Sequence, residues 1–227
     1  MGQFIDLTAA DGFTFSAYVA EPAGKPKGAV VVVQEIFGVN SHIRSVADGY
    51  AADGYLAVAP ATFHRAKAGV DLGYTGEDMK AGVALKAAVE ALPAPGVLQD
   101  IQAAVDYAGR AGKVGIVGYC YGGLLAWRAA ASVSGLSAAV PYYGGGMTVG
   151  TEPARHPKVP VLAHFGSKDS HITLDTVESF AKAHPEVEVQ VYEADHGFNC
   201  DQRGSYDAPA SMLAKERTLA FFAKHLS

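Results

Sequence analysis

The segment Ala29-Val30-Val31-Val32-Val33 limits the possible folds more than any other. Five consecutive apolar residues, four of them β-branched, show no polar alternation. A strand of this kind is covered on both faces, as in a parallel sheet with helices above and below. Comparable short runs recur at Tyr55 to Ala59, Val114 to Val117, Ala138 to Tyr142, Val159 to Phe165 and Val187 to Tyr192. Helical patterns fall between them, at His42 to Ala52, Lys80 to Ala91, Gln99 to Ala108, Gly122 to Ala131, Leu174 to Ala183 and Pro209 to His225. In the third of these, Ile101, Ala104, Val105 and Ala108 repeat at helical spacing. Strands alternating with helices predict right-handed crossovers and an α/β fold with a mostly parallel sheet. Phe4 to Leu7 and Phe13 to Ala20, joined through Ala-Asp-Gly, read as an N-terminal hairpin. Thr62 to Glu77 has weak periodicity and reads as an excursion over the C-terminal edge of the sheet.

A length of 227 residues is expected to form one domain, residues 1–227, without a large cap. Hydrophobic residues make up 49% and charged residues 18%, enough to build a sizeable core. The net charge of -5 and the lack of any Lys/Arg cluster argue against a nucleic-acid partner. No apolar stretch approaches a membrane span, and no basic start precedes an apolar run. Gly2 does not open a myristoylation motif, because Asp6 stands where Ser or Thr is required. With two cysteines, Cys120 and Cys200, the expectation is a cytoplasmic monomer with both thiols free.

The strongest chemical signal is Gly118-Tyr119-Cys120-Tyr121-Gly122-Gly123, between a strand and a helix. It has the form of the Gly-x-Ser-x-Gly nucleophile elbow, with Cys in place of Ser. Side chains two residues either side of such a nucleophile would collide with neighbouring backbone. The helix N-terminus favours a thiolate and offers N–H groups to an oxyanion, Tyr121 being the expected donor. A buried structural cysteine is the bland alternative. A dinucleotide site is disfavoured, since the Gly-x-Gly-x-x-Gly spacing is incomplete and mid-chain.

After an elbow of this kind the acid and then the histidine follow in chain order. Val159 to Phe165 runs into Gly166-Ser167-Lys168-Asp169, and Val187 to Tyr192 runs into Glu193-Ala194-Asp195-His196. Three strand ends thereby deliver Cys120, Asp169 and His196 to one sheet edge, with His196 moving protons and Asp169 holding its tautomer. Asp195 is a rival acid, although it adjoins His196. His164 and His171 flank Asp169 but have no further ligand cluster nearby, so no metal or cofactor is expected. Glu35 is read as the last residue of the strand that the valine run opens, and is expected to face the site. The loop after that strand supplies the second oxyanion N–H, from Ile36.

The segments Gln34-Glu35-Ile36-Phe37-Gly38-Val39-Asn40, Val117-Gly118-Tyr119-Cys120-Tyr121-Gly122-Gly123, Pro141-Tyr142-Tyr143-Gly144 and His196-Gly197-Phe198 resemble the dienelactone hydrolase family. The resemblance spans essentially the whole chain. It implies the α/β-hydrolase fold and carboxymethylenebutenolidase-type hydrolysis of a lactone or enol ester in aromatic-compound degradation, by way of a thioester. It also implies that Glu35 pairs with the resting thiol and takes its proton when substrate binds. Phe37, Tyr74, Tyr142, Phe198 and Arg203 are expected to contact the small-molecule substrate. In one respect the chain departs from the family. Cys200 stands where an arginine four residues after the histidine would hold a substrate carboxylate. Arg203 is then either the anion binder or a surface charge. A small-acyl carboxylesterase or thioesterase, and a non-catalytic binding protein on the same fold, are the competing readings.

Overall fold

The computed structural model describes residues 2–227. Eight strands form one sheet: β1 (Gln3–Thr8), β2 (Thr14–Ala20), β3 (Ala29–Val33), β4 (Leu56–Pro60), β5 (Val114–Tyr119), β6 (Leu136–Tyr142), β7 (Leu162–Gly166) and β8 (Glu188–Tyr192). Their spatial order is β1-β2-β4-β3-β5-β6-β7-β8. The first two strands form the expected hairpin, with Leu7 opposite Phe15. β2 joins β4 antiparallel, and from β4 to β8 every pairing is parallel.

Among the described residues six α-helices accompany the strands: α1 (Ser41–Ala52), α2 (Gly76–Glu90), α3 (Leu98–Ala108), α4 (Tyr121–Ser132), α5 (Leu174–Ala183) and α6 (Ala208–Leu226). Every residue of β3 is buried, as an unbroken valine run requires. Burying each of the four valine side chains contributes about 1.5–3 kcal/mol, so the strand most apolar in sequence anchors the centre of the sheet. α3 packs on β3 and β4 and touches α4, whereas α1 and α6 share a groove. The sheet is therefore sandwiched between helices, as the alternation predicts.

Several boundaries differ from the sequence expectation, among them those of β3, β7 and α2. β3 stops at Val33, which leaves Gln34 and Glu35 in the loop beyond it. β7 starts at Leu162 rather than Val159, because Pro160 has no N–H to give the ladder and Val161 forms only an isolated bridge to Ala139. α2 starts at Gly76, four residues before Lys80, on a capping box in which Thr75 and Asp78 satisfy each other's backbone N–H. The excursion before α2 is tied down. Asp71 bridges Gly38, the Leu72 N–H donates to Phe37 O at 2.9 Å, and Arg65 pairs with Asp11 and buried Asp100. These bonds hold the excursion against the Glu35 loop. No helix among the described residues is long and apolar enough to cross a membrane.

Candidate active site

The turn from β5 into α4 puts Cys120 at φ 55, in the left-handed region that a side chain rarely adopts. Backbone crowding enforces the turn. A Cβ on Gly118 would collide with the Gly122 carbonyl, one on Gly122 with the carbonyls of Val33 and Gln34, and one on Gly123 would approach Tyr142 O to 2.6 Å. The Cys120 N–H donates to Tyr142 O at 3.0 Å, and the Cys120 carbonyl accepts from Gly123 N at 2.9 Å. The half-buried thiol is therefore fixed at the head of α4.

From Cys120 a chain of polar contacts runs across the strand ends. Cys120 Sγ lies 3.1 Å from His196 Nε2, and His196 Nδ1 lies 2.7 Å from Asp169 Oδ2. Asp169 is buried, and its other oxygen accepts from the N–H groups of His171 at 2.8 Å and Ile172 at 3.1 Å. Burial works against the Asp169 carboxylate, but hydrogen bonds from His196 and these two amides outweigh it and hold the group below its ordinary range. Burial also works against a charged His196, yet the bonds to Asp169 and Cys120 prevail and raise it to about 10. These two contacts thus stabilise the positive charge that His196 carries when it holds a proton. Asp195 accepts from the backbone N–H of His196 at 2.6 Å, a local turn contact, and Asp169 holds the ring. Among the described residues, neither the Ile36 nor the Tyr121 N–H has an intramolecular acceptor.

Glu35 is buried, with Arg203 Nη1 3.2 Å from one carboxylate oxygen and the Tyr74 hydroxyl 3.3 Å from the other. Asn40 steadies Tyr74 through an Nδ2–OH bond of 3.1 Å, and it caps α1 through Ile43 N. Three expectations need correction. The thiol is hydrogen-bonded to His196 and not to Glu35, because Arg203 and Tyr74 already hold that carboxylate. Arg203 is neither a surface charge nor a free anion binder. Its guanidinium lies against Gly197, where φ is 79, and reaches inward to Glu35. Tyr142 does not face the site: it is buried against Tyr119 and His164, with its hydroxyl 2.7 Å from Thr218 Oγ1.

The neighbouring Tyr143 points the other way, its ring centroid 5.2 Å from that of His196. Tyr143 lies one residue past β6 at φ 36, and this turn carries its ring away from that of Tyr142. Phe37 packs on Tyr74 at 4.5 Å and Phe198 on Tyr143 at 5.2 Å, and both rings are buried. His164 is a packed core histidine, bonded to Tyr192 and Thr218. A groove of about 1010 Å³ lies between α1 and α6 and is lined by His42, Asp201 and Met212 but not Cys120.

Residues 15–226 match the model of the dienelactone hydrolase family. The chain is 35% identical to the carboxymethylenebutenolidase of Pseudomonas putida, across 96% of its own length and 95% of the relative's. The carboxymethylenebutenolidase of Pseudomonas knackmussii gives the same figures. A crystal structure from Klebsiella pneumoniae, of a protein provisionally named a dienelactone hydrolase, superposes with a TM-score of 0.80 at 34% identity, covering 98% of this chain and 99% of that one.

Proposed function

Because the chain belongs to the dienelactone hydrolase family, whose α/β-hydrolase fold and ester-bond hydrolysis it shares, we propose that it opens a lactone or enol ester through a thioester on Cys120. The single observation that carries this reading is the continuous contact from Cys120 through His196 to Asp169. His196 takes the thiol proton, and the sulfur attacks the ester carbonyl carbon. The carbonyl oxygen becomes an oxyanion that accepts from the N–H groups of Ile36 and Tyr121. Collapse breaks the bond to the ester oxygen, which leaves as an enolate or alkoxide and collects the proton from His196. Water, deprotonated by His196, then attacks the thioester. The acid is released and the thiol regains its proton.

Asp169 keeps the imidazole in one tautomer and stabilises its charge throughout. Glu35 lies in the loop that supplies the Ile36 N–H, and Arg203 and Tyr74 hold its carboxylate. We assign Glu35 as a positioning residue whose hold on Arg203 sets the charge beside the thiol. The Arg203–Glu35 pair also supports a second reading, of a carboxylesterase for small uncharged acyl groups, since the arginine is already neutralised. Hydrolysis of p-nitrophenyl acetate and of a panel of lactones with and without a carboxylate, before and after iodoacetamide, separates these outcomes. Loss on alkylation supports Cys120 as nucleophile. Turnover untouched by full alkylation of Cys120 overturns it, and no turnover on any ester favours a binding protein. Cys120→Ser should retain only a small fraction of wild-type turnover.

A further inference from the structure

Around Glu35 a second set of buried groups converges. Glu35, His42 and Cys200 each place one ligand atom so that all lie within 4.8 Å of one another, and all three residues are buried. His42 comes from α1, Cys200 from the loop after β8 and Glu35 from the loop after β3. The state of the imidazole indicates what the cluster is suited to. His42 Nδ1 is bonded to the carboxylate of Asp201 at 3.1 Å, while Nε2 is buried and has no partner. A buried ring nitrogen without a partner is costly, on the order of 1–3 kcal/mol. An imidazole whose outer nitrogen donates to a carboxylate and whose inner nitrogen presents a lone pair has the arrangement of a metal ligand.

We propose that Glu35, His42 and Cys200 form a binding site for a borderline divalent cation of the Zn²⁺ type. Nitrogen, thiolate and carboxylate are the donors such an ion takes, and water completes a tetrahedron. Bonds of about 2.0–2.3 Å require ligand atoms about 3.3–3.8 Å apart, so each ligand moves inward by about 1 Å at most. Without an ion, burial and the neighbouring Glu35 charge push the Cys200 thiol up to about 11, so it rests protonated. Binding displaces that proton to solvent as the sulfur–metal bond forms. Arg203 must then release Glu35 to the ion, which trades one positive partner for another. The groove between α1 and α6 reaches His42 and Asp201 and gives the ion its path inward. A second histidine and acid cluster, His156, His184 and Glu186, does not qualify. There both nitrogens of His184 are engaged, with Glu186 Oε1 at 2.8 Å and Pro153 O at 2.7 Å.

Cobalt(II) titration tests the site, using the full chain with Cys120→Ala so that the Cys120–His196 pair supplies no thiolate. One equivalent should produce a thiolate-to-cobalt charge-transfer band, and Zn²⁺ should displace it. His42→Gln and Cys200→Ser should each abolish the band, and Asp201→Asn should weaken binding by about 10-fold or more. Circular dichroism confirms that each variant folds, and either ligand variant alone is sufficient for the test. A cobalt complex lacking the charge-transfer band, or one unaffected by both ligand variants, overturns the proposal. Inhibition by Zn²⁺ rests on the role given above to Glu35. It should appear in the otherwise unmodified chain and vanish in His42→Gln, which keeps basal turnover. A charge-transfer band without inhibition upholds the site and removes that role from Glu35.

Discussion

Replacing Arg203 by alanine tests how the charge of this arginine is used. Glu35 has a side chain only 1% exposed, and Arg203 is its one cationic partner among the described residues, at 3.2 Å. Removing one member of a buried ion pair typically costs 3–5 kcal/mol, because it leaves an uncompensated charge. The Tyr74 hydroxyl still reaches the carboxylate at 3.3 Å, which places the expected loss at the lower end, about 3 kcal/mol. For a chain of 227 residues that corresponds to a fall in Tm of ~6–12 °C. Glu35→Gln combined with Arg203→Ala should recover about 2 kcal/mol of the loss, since the orphaned charge is then gone. Urea unfolding of wild type, both single variants and the double variant gives the coupling directly. A loss below about 1 kcal/mol for Arg203→Ala, or strict additivity in the double variant, would refute the reasoning. Kinetics supply an independent check. If Arg203 serves Glu35, its removal should impair carboxylate-bearing and uncharged lactones alike. A rise in KM confined to the carboxylate-bearing substrates would mean that the arginine binds substrate instead.

Asp169→Asn should keep the fold but lower kcat by about 10⁴-fold, because the amide imposes the wrong tautomer on His196; steady-state kinetics beside a matching circular dichroism spectrum check this. Burial holds His164 down to about 3 from an ordinary 6.5. The unfolded chain therefore binds the extra proton first, and the contribution is intact above pH 6.5 and lost as pH falls towards 3. Urea midpoints should drop across that window, and the drop should shrink in His164→Gln. Gly122→Ala forces a methyl into the carbonyls of Val33 and Gln34, and should cost about 3 kcal/mol and most of the activity, measured by thermal unfolding and ester turnover.

The parts of this molecule visible in its sequence are those set by local rules. The valine run of β3, the glycines around Cys120 and the placement of Asp169 and His196 just past strand ends each follow from a few adjacent residues. The Arg203–Glu35 pair joins positions 168 apart in sequence, and no spacing rule connects them, so the resting partner of the acid had to come from the fold. Tyr143 reaches His196 because the backbone turns to φ 36 just past β6, and nothing in the neighbouring residues announces that turn. The start of α2 was obscured by Gly73 and Gly76, although Thr75 and Asp78 spelled its cap. His42 gave no signal at all. Its unpartnered nitrogen exists only once α1 has docked against the loop that carries Cys200.

The thiol, imidazole and carboxylates hang from β3, β5, β7 and β8, four ribs that meet only when nearly the whole chain is in place. A half-built molecule, such as a nascent chain not yet past β8, has a sulfur but no base to arm it. Return of turnover during refolding would therefore mark the docking of the last rib rather than the first collapse. Until then, the molecule's most reactive atom stays chemically quiet.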